Sequence, residues 1–376
     1  MVNARKLLSP RLLFVAVVVA ALMPAAAQGA GPKNKNNPQN SYEQTNLVSD
    51  LPGMAILTDA NLVNAWGISA GPTTPFWISD NGTGLATLYN VQNPDSPTAL
   101  SLVVEIPPET GSTPTGNVFN PTSDFLVDSV NPARFIFATE DGTISAWSPQ
   151  LVDSDDAVLE VDNSPGAVYK GIALGHNQDG NFIFAANFRA GTVDVFDRNF
   201  APATLAGSFS DPSLPAGFAP FGIRNIGGKI YVTYALQDAA KHDDAAGPGN
   251  GFVDVYDTNG NLIKRLISNG NLNSPWGLAL APNHFGAFSH DLLVGNFGDG
   301  HINAYNIHTG ALDGQLDDMN GAPITIMGLW GLAFGNGNAA GPTNTLFFTA
   351  GINGEADGLF GSLEAQKGKG KNGDMD

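Results

Sequence analysis

The sequence predicts an all-β fold: a six-bladed β-propeller with four-stranded antiparallel blades, its ring closed by the N-terminal strand. Three observations carry that expectation. A short motif recurs about every fifty residues, a hairpin pattern follows each copy, and helix-period apolar spacing is almost absent.

The motif is an aromatic or small residue, then Gly, then an aliphatic residue. It reads "NAWGISA" at Asn64, "YKGIALG" at Tyr169, "FAPFGIRN" at Phe218, "NSPWGLAL" at Asn273 and "GLWGLAF" at Gly328, with "FNPTSDFLV" at Phe119 as a degenerate copy. Gly171, Gly222, Gly277 and Gly331 lie 51, 55 and 54 residues apart, and Gly67 stands 104 residues before Gly171, a gap that holds two repeats. After each motif comes a β-rich run, a polar turn and an alternating run, as in "FWISDNGTGLATLYN" and "LLVGNFGDGHINAYN". This is the signature of an antiparallel hairpin. A further strand such as "NLIKRLIS" usually follows, so each period supplies the four strands of a propeller blade.

The sixth unit runs out after "GLFGSLEA" without an outer strand, while "YEQTNLVSD" (Tyr42 to Asp50) precedes the first unit with nothing to pair with. Placing residues 42–50 as the fourth strand of the last blade removes two free edges together. The propeller is therefore expected to span 42–364 as one domain. Trp66, Phe221, Trp276 and Trp330 recur at equivalent positions and are expected to pack between neighbouring blades. A ligand-stacking role for Trp276 and Trp330 is the alternative.

The ends read differently. Arg5, Lys6 and Arg11 precede the apolar run "LLFVAVVVAALM" and an Ala25-x-Ala27 site, the pattern of a secretory signal peptide over 1–27. Residues 28–41 read as a flexible leader and 365–376 as a disordered tail. Later segments are too short in apolar residues for a membrane span. The expectation is an exported protein, periplasmic or extracellular, and a monomer. A formal net charge of −18 argues against nucleic acid or an anionic membrane as partner. With no Cys, the fold rests on its core rather than on disulfides.

In a propeller the loop entering each inner strand and the turn between the second and third strands share one mouth of the channel. Asn64, Asp80, Asn81, Glu140, Asp141, Asn187, Arg189, Asn296, Asp299, Asn353 and Glu355 are expected there. Such a ring of oxygens suits Ca²⁺, with Glu140, Asn187 and Asn296 as candidate metal ligands and Asn64 and Asp80 as ligand-binding residues. The competing reading is turn chemistry, because Asn and Asp cap their own turns. One loop is not explained by turns: "ALQDAAKHDDAAGPGNG" spends about a dozen extra residues in the fourth blade. It carries Lys241, His242, Asp243 and Asp244, so His242, Asp243 and Asp244 are the candidate catalytic residues.

On "TNLVSDLPG", "NLVNAWGIS", "QDAAKHDDAAGPGNGFVDVYD", "NSPWGLALAP" and "LLVGNFGDGHINAYN", the chain resembles an uncharacterised family of exported bacterial proteins that often carry PEP-CTERM sorting tails. This chain ends in "KGKGKNGDMD" without such a tail. More remotely, the blades look like NHL repeats and like the calcium-dependent lactonases of the gluconolactonase and senescence-marker type. That likeness implies a Ca²⁺ held by a Glu, Asn and Asp set, with Asn187, Asn296 and either Glu140 or Asp80 as equivalents by position. Two functions remain open: a binding scaffold that presents one mouth to an extracellular polymer, protein or small molecule, and a Ca²⁺-dependent hydrolase, a lactonase or phosphoesterase, built on the fourth-blade loop.

Overall fold

The computed structural model describes residues 40–108 and 111–366. The expected signal peptide, and most of the expected leader and tail, lie outside the described residues. Six antiparallel sheets stand around one axis. Their inner strands are Ala65–Ser69, Pro114–Phe119, Tyr169–Asn177, Phe218–Ile226, Pro275–Leu280 and Leu329–Phe334, and each touches the next until the sixth meets the first. Among the described residues no helix is long and apolar enough to cross a membrane.

The clasp forms as the unpaired edges require. In the sixth blade, Leu329–Phe334, Leu346–Gly351 and Asp357–Ala365 are followed by the N-terminal strand Tyr42–Ser49. It pairs antiparallel from Tyr42↔Ala365 to Ser49↔Leu359. Tyr42 anchors it, its ring 4.9 Å from that of Phe285 and its hydroxyl donating to the Phe285 carbonyl at 3.0 Å.

The first and sixth blades gain a short fifth strand, and the second and third depart further from the expected pattern. In the second, the motif is not "FNPTSDFLV" but "PTGNV", with Thr115 and Gly116 in the inner strand. A polar residue takes the aromatic's place, with Thr115 Oγ1 within donating reach of two carbonyls, Tyr169 at 2.7 Å and Ala138 at 3.1 Å. The third blade has three strands, Tyr169–Asn177, Gly180–Asn187 and Thr192–Phe196. Its outer edge is reduced to a bridge at Pro202, which has no N–H to extend a ladder. The following chain instead bonds to the fourth blade, through Gly207 N on Asn259 O at 2.8 Å and Phe209 N on Gly260 O at 2.9 Å.

The motif has a mechanical meaning. In every blade the register between the first and second strands slips at the motif. Such bulges re-aim a side chain, and here they turn the motif residue towards the axis. The expectation that Trp66, Phe221, Trp276 and Trp330 sit between blades is corrected: they meet one another in the channel, with Phe188 and Phe297, and plug it. Trp66 stacks on Trp330 with ring centroids 3.6 Å apart, and Phe297 stacks on Trp330 at 4.0 Å. The glycine that follows faces backbone. A Cβ on Gly67 would collide with the Thr115 carbonyl, one on Gly222 with that of Trp276, and one on Gly277 with that of Trp330.

Buried carboxyls make this fold less stable as pH rises from acid to neutral. Burial, reinforced by Asp211 and opposed by Arg265, pushes Asp254 up to about 7, and burial with Asp128 nearby pushes Glu160 up to about 7. An acid whose pKa is raised by folding stabilises fully below its unfolded value, and that stability is lost as pH rises through the folded value. The melting temperature is therefore expected to fall as pH rises from about 4 to about 7.5, with Asp254 alone accounting for about 2–4 kcal/mol. Asp254→Asn should flatten that slope in a thermal melt series. A wild-type melting temperature that holds or rises across the window refutes this.

Candidate functional site

Above the aromatic plug, on the mouth formed by the loops that enter the inner strands, ionisable groups from four blades converge with two amides of the first blade. At the third blade's motif position stands Lys170, a lysine where other blades place an aromatic. Its side chain is 2% exposed, with Nζ paired to Glu140 Oε1 and lying 3.1 Å from Asp243 Oδ1. It also sits 5.2 Å from the centre of the Trp66 ring, a cation–π contact. Burial works against the ammonium, but the charges of Glu140 and Asp243 outweigh it and hold the pKa above its usual value. The lysine backbone is held too, its carbonyl accepting from Trp276 Nε1 at 2.8 Å.

A chain of hydrogen bonds extends this pair around the mouth. Glu140 Oε2 accepts from Asn81 Nδ2 at 2.9 Å, and Asn64 Nδ2 donates to Asn81 Oδ1 at 3.1 Å and to Glu355 Oε1 at 3.2 Å. Trp330 Nε1 donates to Asn64 Oδ1 at 3.2 Å, so the network rests on the plug. Glu355 enters from a turn in which Asn353, Gly354 and Glu355 all have positive φ, from 55° to 68°. A glutamate in that region costs about 1–2 kcal/mol, and here the strain accompanies a carboxylate held at the mouth. Burial raises the pKa of Glu355, with the Asn64 hydrogen bond opposing.

The fourth-blade loop is an ordered part of this mouth. Asp238 Oδ1 accepts from the backbone N–H of His242 at 2.9 Å and of Asp243 at 3.3 Å, and Ala245 N returns to Leu236 O at 2.7 Å. Gln237 and Asp244 form a bridge across its base. The loop lays Asp243 against Lys170, and His242 Nδ1 lies 2.9 Å from Asp243 Oδ1. Burial pulls the Asp243 carboxyl upwards, but Lys170 and His242 outweigh it and hold the pKa down. Asp244 points inward, where burial raises its pKa despite the nearby Ser274 hydroxyl and Lys170 charge.

The remaining sequence candidates are placed elsewhere. Asp80 is fully buried inside the first blade beside Thr87, and burial holds its carboxyl well above the usual range; its neighbour Asn81 is the residue that joins the mouth. Asn187 caps its own turn, Oδ1 accepting from Val168 N and Ala190 N and Nδ2 donating to Asp194 at 2.9 Å. Asn296 Nδ2 donates to Asn271 O at 2.7 Å and to Asp299 at 3.1 Å, and its buried Oδ1 has no partner. Trp330 is sealed in the plug, and Trp276 is half-buried with one face towards the opposite mouth.

Glu140, His242 and Asp243 offer ligand atoms that lie within 4.8 Å of one another. These residues do not form an oxygen cage for calcium, which takes six to eight oxygens. The Lys170 ammonium bridges the two carboxylates, and Asn187 spends its side-chain oxygen on the Val168 and Ala190 N–H groups. The arrangement can receive hydrogen-bond donors and positive charge on the outer oxygens of Asp243 and Glu355. His242, with Nδ1 engaged by Asp243, leaves Nε2 for a ligand.

The chain matches no family model. In three dimensions it resembles the virginiamycin B lyase of Staphylococcus aureus (TM-score 0.50, 15% identity, 86% of this chain and 99% of that one). It also resembles a glucose dehydrogenase (TM-score 0.52, 12% identity, 81% and 98%) and a putative gluconolactonase (TM-score 0.51, 12% identity, 86% and 92%). At these identities the likeness concerns the six-bladed fold. In sequence, the uncharacterized protein R648 of Acanthamoeba polyphaga mimivirus is 31% identical over 327 residues, which is 84% of this chain and 78% of that protein. A second mimivirus protein, L690, is 30% identical over 331 residues, 84% of each. These relatives are viral, where the motifs suggest exported bacterial proteins. Identity of this extent shows that the chain belongs to the same family as the mimivirus proteins R648 and L690.

Proposed function

We propose that this chain is an exported binding propeller whose Lys170-centred mouth is a recognition surface for a ligand carrying positive charge. One observation carries the reading: five blades contribute Asn64, Asn81, Glu140, Lys170, Asp243 and Glu355 to one hydrogen-bonded network over a plugged channel. The single ammonium faces more acids than it can neutralise, and the plug makes the mouth a bowl rather than a passage. A small molecule, or an amine-bearing segment of an extracellular polymer or protein, would meet Asp243 and Glu355 first. Spermidine is a suitable probe. Calorimetry is expected to show salt-sensitive binding that weakens at least about fivefold in Asp243→Asn, because each lost charge pair in a partly enclosed site is worth about 1 kcal/mol. Asp128→Asn, on the exposed rim of the second blade, is the control for non-specific attraction. Equal binding by all three proteins defeats the proposal.

A second reading is favoured by the His242–Asp243 contact, an arrangement that orients an imidazole for proton transfer. It makes the same mouth a hydrolase site with His242 as the proton carrier, and the named activities of the lyase, dehydrogenase and gluconolactonase neighbours lend it the precedent of the fold alone. Calcium titration separates the two readings. A binding mouth occupied by Lys170 should take no Ca²⁺ at millimolar concentration, where even weak extracellular sites fill. Saturable Ca²⁺ binding that Glu140→Gln abolishes would favour the hydrolase.

A further inference from the structure

The opposite mouth of the channel opens into a cavity of about 550 Å³ below the plug, with Trp276 in its wall. That volume is in the range of small-molecule sites. Its walls are chiefly apolar, with Ile68, Ile172, Leu278 and Leu332 among them, and among the described residues Arg224 of the fourth inner strand is the one charged side chain lining it.

Arg224 has no acidic partner among the described residues, in contrast to Lys170 and Arg265. Lys170 carries Glu140, and Arg265 carries Asp211 and Asp254. Arg224 Nη1 donates to the carbonyls of Leu278, at 2.9 Å, and Leu332. Its Nε and Nη2 make no hydrogen bond or ion pair with any described residue, and neither is sealed from solvent. Burial alone pushes its pKa down, with no acid near enough to oppose it, yet a guanidinium stays charged in proteins. The wall's amides have spent their donors: Asn117 on Ser79 at 2.8 Å, Asn225 on Leu174 O at 2.8 Å and Asn336 on Gly71 O at 2.8 Å. The cavity thus offers one uncompensated positive fork in an apolar chamber.

We propose that this second mouth binds a small molecule made of one carboxylate on an apolar body. The carboxylate takes Nε–H and Nη2–H as a bidentate pair, and the body lies against the isoleucine and leucine walls. A phosphate with the same body would need more donors than this fork supplies, so a monoanion fits better. The site is separate from the Lys170 mouth, with the plug between them.

Sodium octanoate is the probe, compared with 1-octanol and with sodium chloride at equal ionic strength, on the full chain. Octanoate at millimolar concentration is expected to bind saturably and to raise the melting temperature, since a ligand selective for the folded state stabilises it. Octanol should bind at least about tenfold more weakly, because it cannot pair with the guanidinium. Arg224→Met should lose the octanoate response, whatever the loss of its two carbonyl contacts does to the unliganded melting temperature. Asp243→Asn should keep the octanoate response, so failure here is distinguishable from failure at the other mouth. Octanol matching octanoate on the wild-type protein overturns the proposal even if the Arg224 variant does not fold, as does octanoate binding that survives Arg224→Met or is absent from the wild type. In any of these cases Arg224 is a strut tying three inner strands together.

Discussion

Lys170→Met is expected to destabilise the protein by about 3–5 kcal/mol, the cost of leaving one partner of a buried ion pair alone. The side chains of Lys170 and Glu140 are 2% and 9% exposed, so water cannot replace the lost ammonium. Methionine nearly keeps the shape of the lysine stem, and the change removes charge rather than volume. Glu140 would then retain only the Asn81 amide as donor. The double variant Lys170→Met/Glu140→Gln should recover more than half of the loss, because removing both charges also removes their desolvation penalty. Urea denaturation of wild type, both single variants and the double variant measures the cycle. A loss below about 1 kcal/mol in Lys170→Met would mean that the pair is solvated, contrary to its burial.

This ion pair also marks how far the sequence could be read. Aligned by their glycines, the motif residues are Trp66, Thr115, Lys170, Phe221, Trp276 and Trp330, and the lysine stands out as a cation in an aromatic column. The signal is present in "YKGIALG" but is masked by the aromatics of the other copies, as is Thr115–Gly116 as the second blade's motif. Glycine spacing was legible because the close approach of inner strands admits no Cβ, and the N-terminal clasp because free edges are costly. The direction of the aromatics was not, since a bulge at the motif decides between the blade interface and the axis, and one residue of slip reverses a side chain. Asp80 and Asn81 illustrate the same limit. They are adjacent in a polar turn, yet one is sealed in the blade and the other bonds Glu140. Asn187 and Asn296 have the composition of ligands and of turn caps alike, and only geometry shows how their amides are used.

Gly222→Ala should be among the most disruptive single-methyl substitutions in the ring, costing about 3 kcal/mol or more through overpacking. The added Cβ would strike the Trp276 carbonyl and sit 2.9 Å from Thr233 Oγ1. Neither can yield cheaply. The carbonyl is backbone of the adjacent inner strand, and Thr233 Oγ1 accepts from Gly222 N at 2.7 Å. Gly171→Ala is the comparison, because its Cβ would lie 3.2 Å from the Phe221 carbonyl, a contact a small shift can relieve. It should cost well under half as much. Soluble yield and urea midpoints of the two variants test the contrast, and equal tolerance of both would show that the ring is looser than these contacts imply. The consequence reaches the mouth. The displaced carbonyl belongs to Trp276, whose Nε1 holds the backbone of Lys170, so any Gly222→Ala protein that does fold should also bind spermidine more weakly than Gly171→Ala.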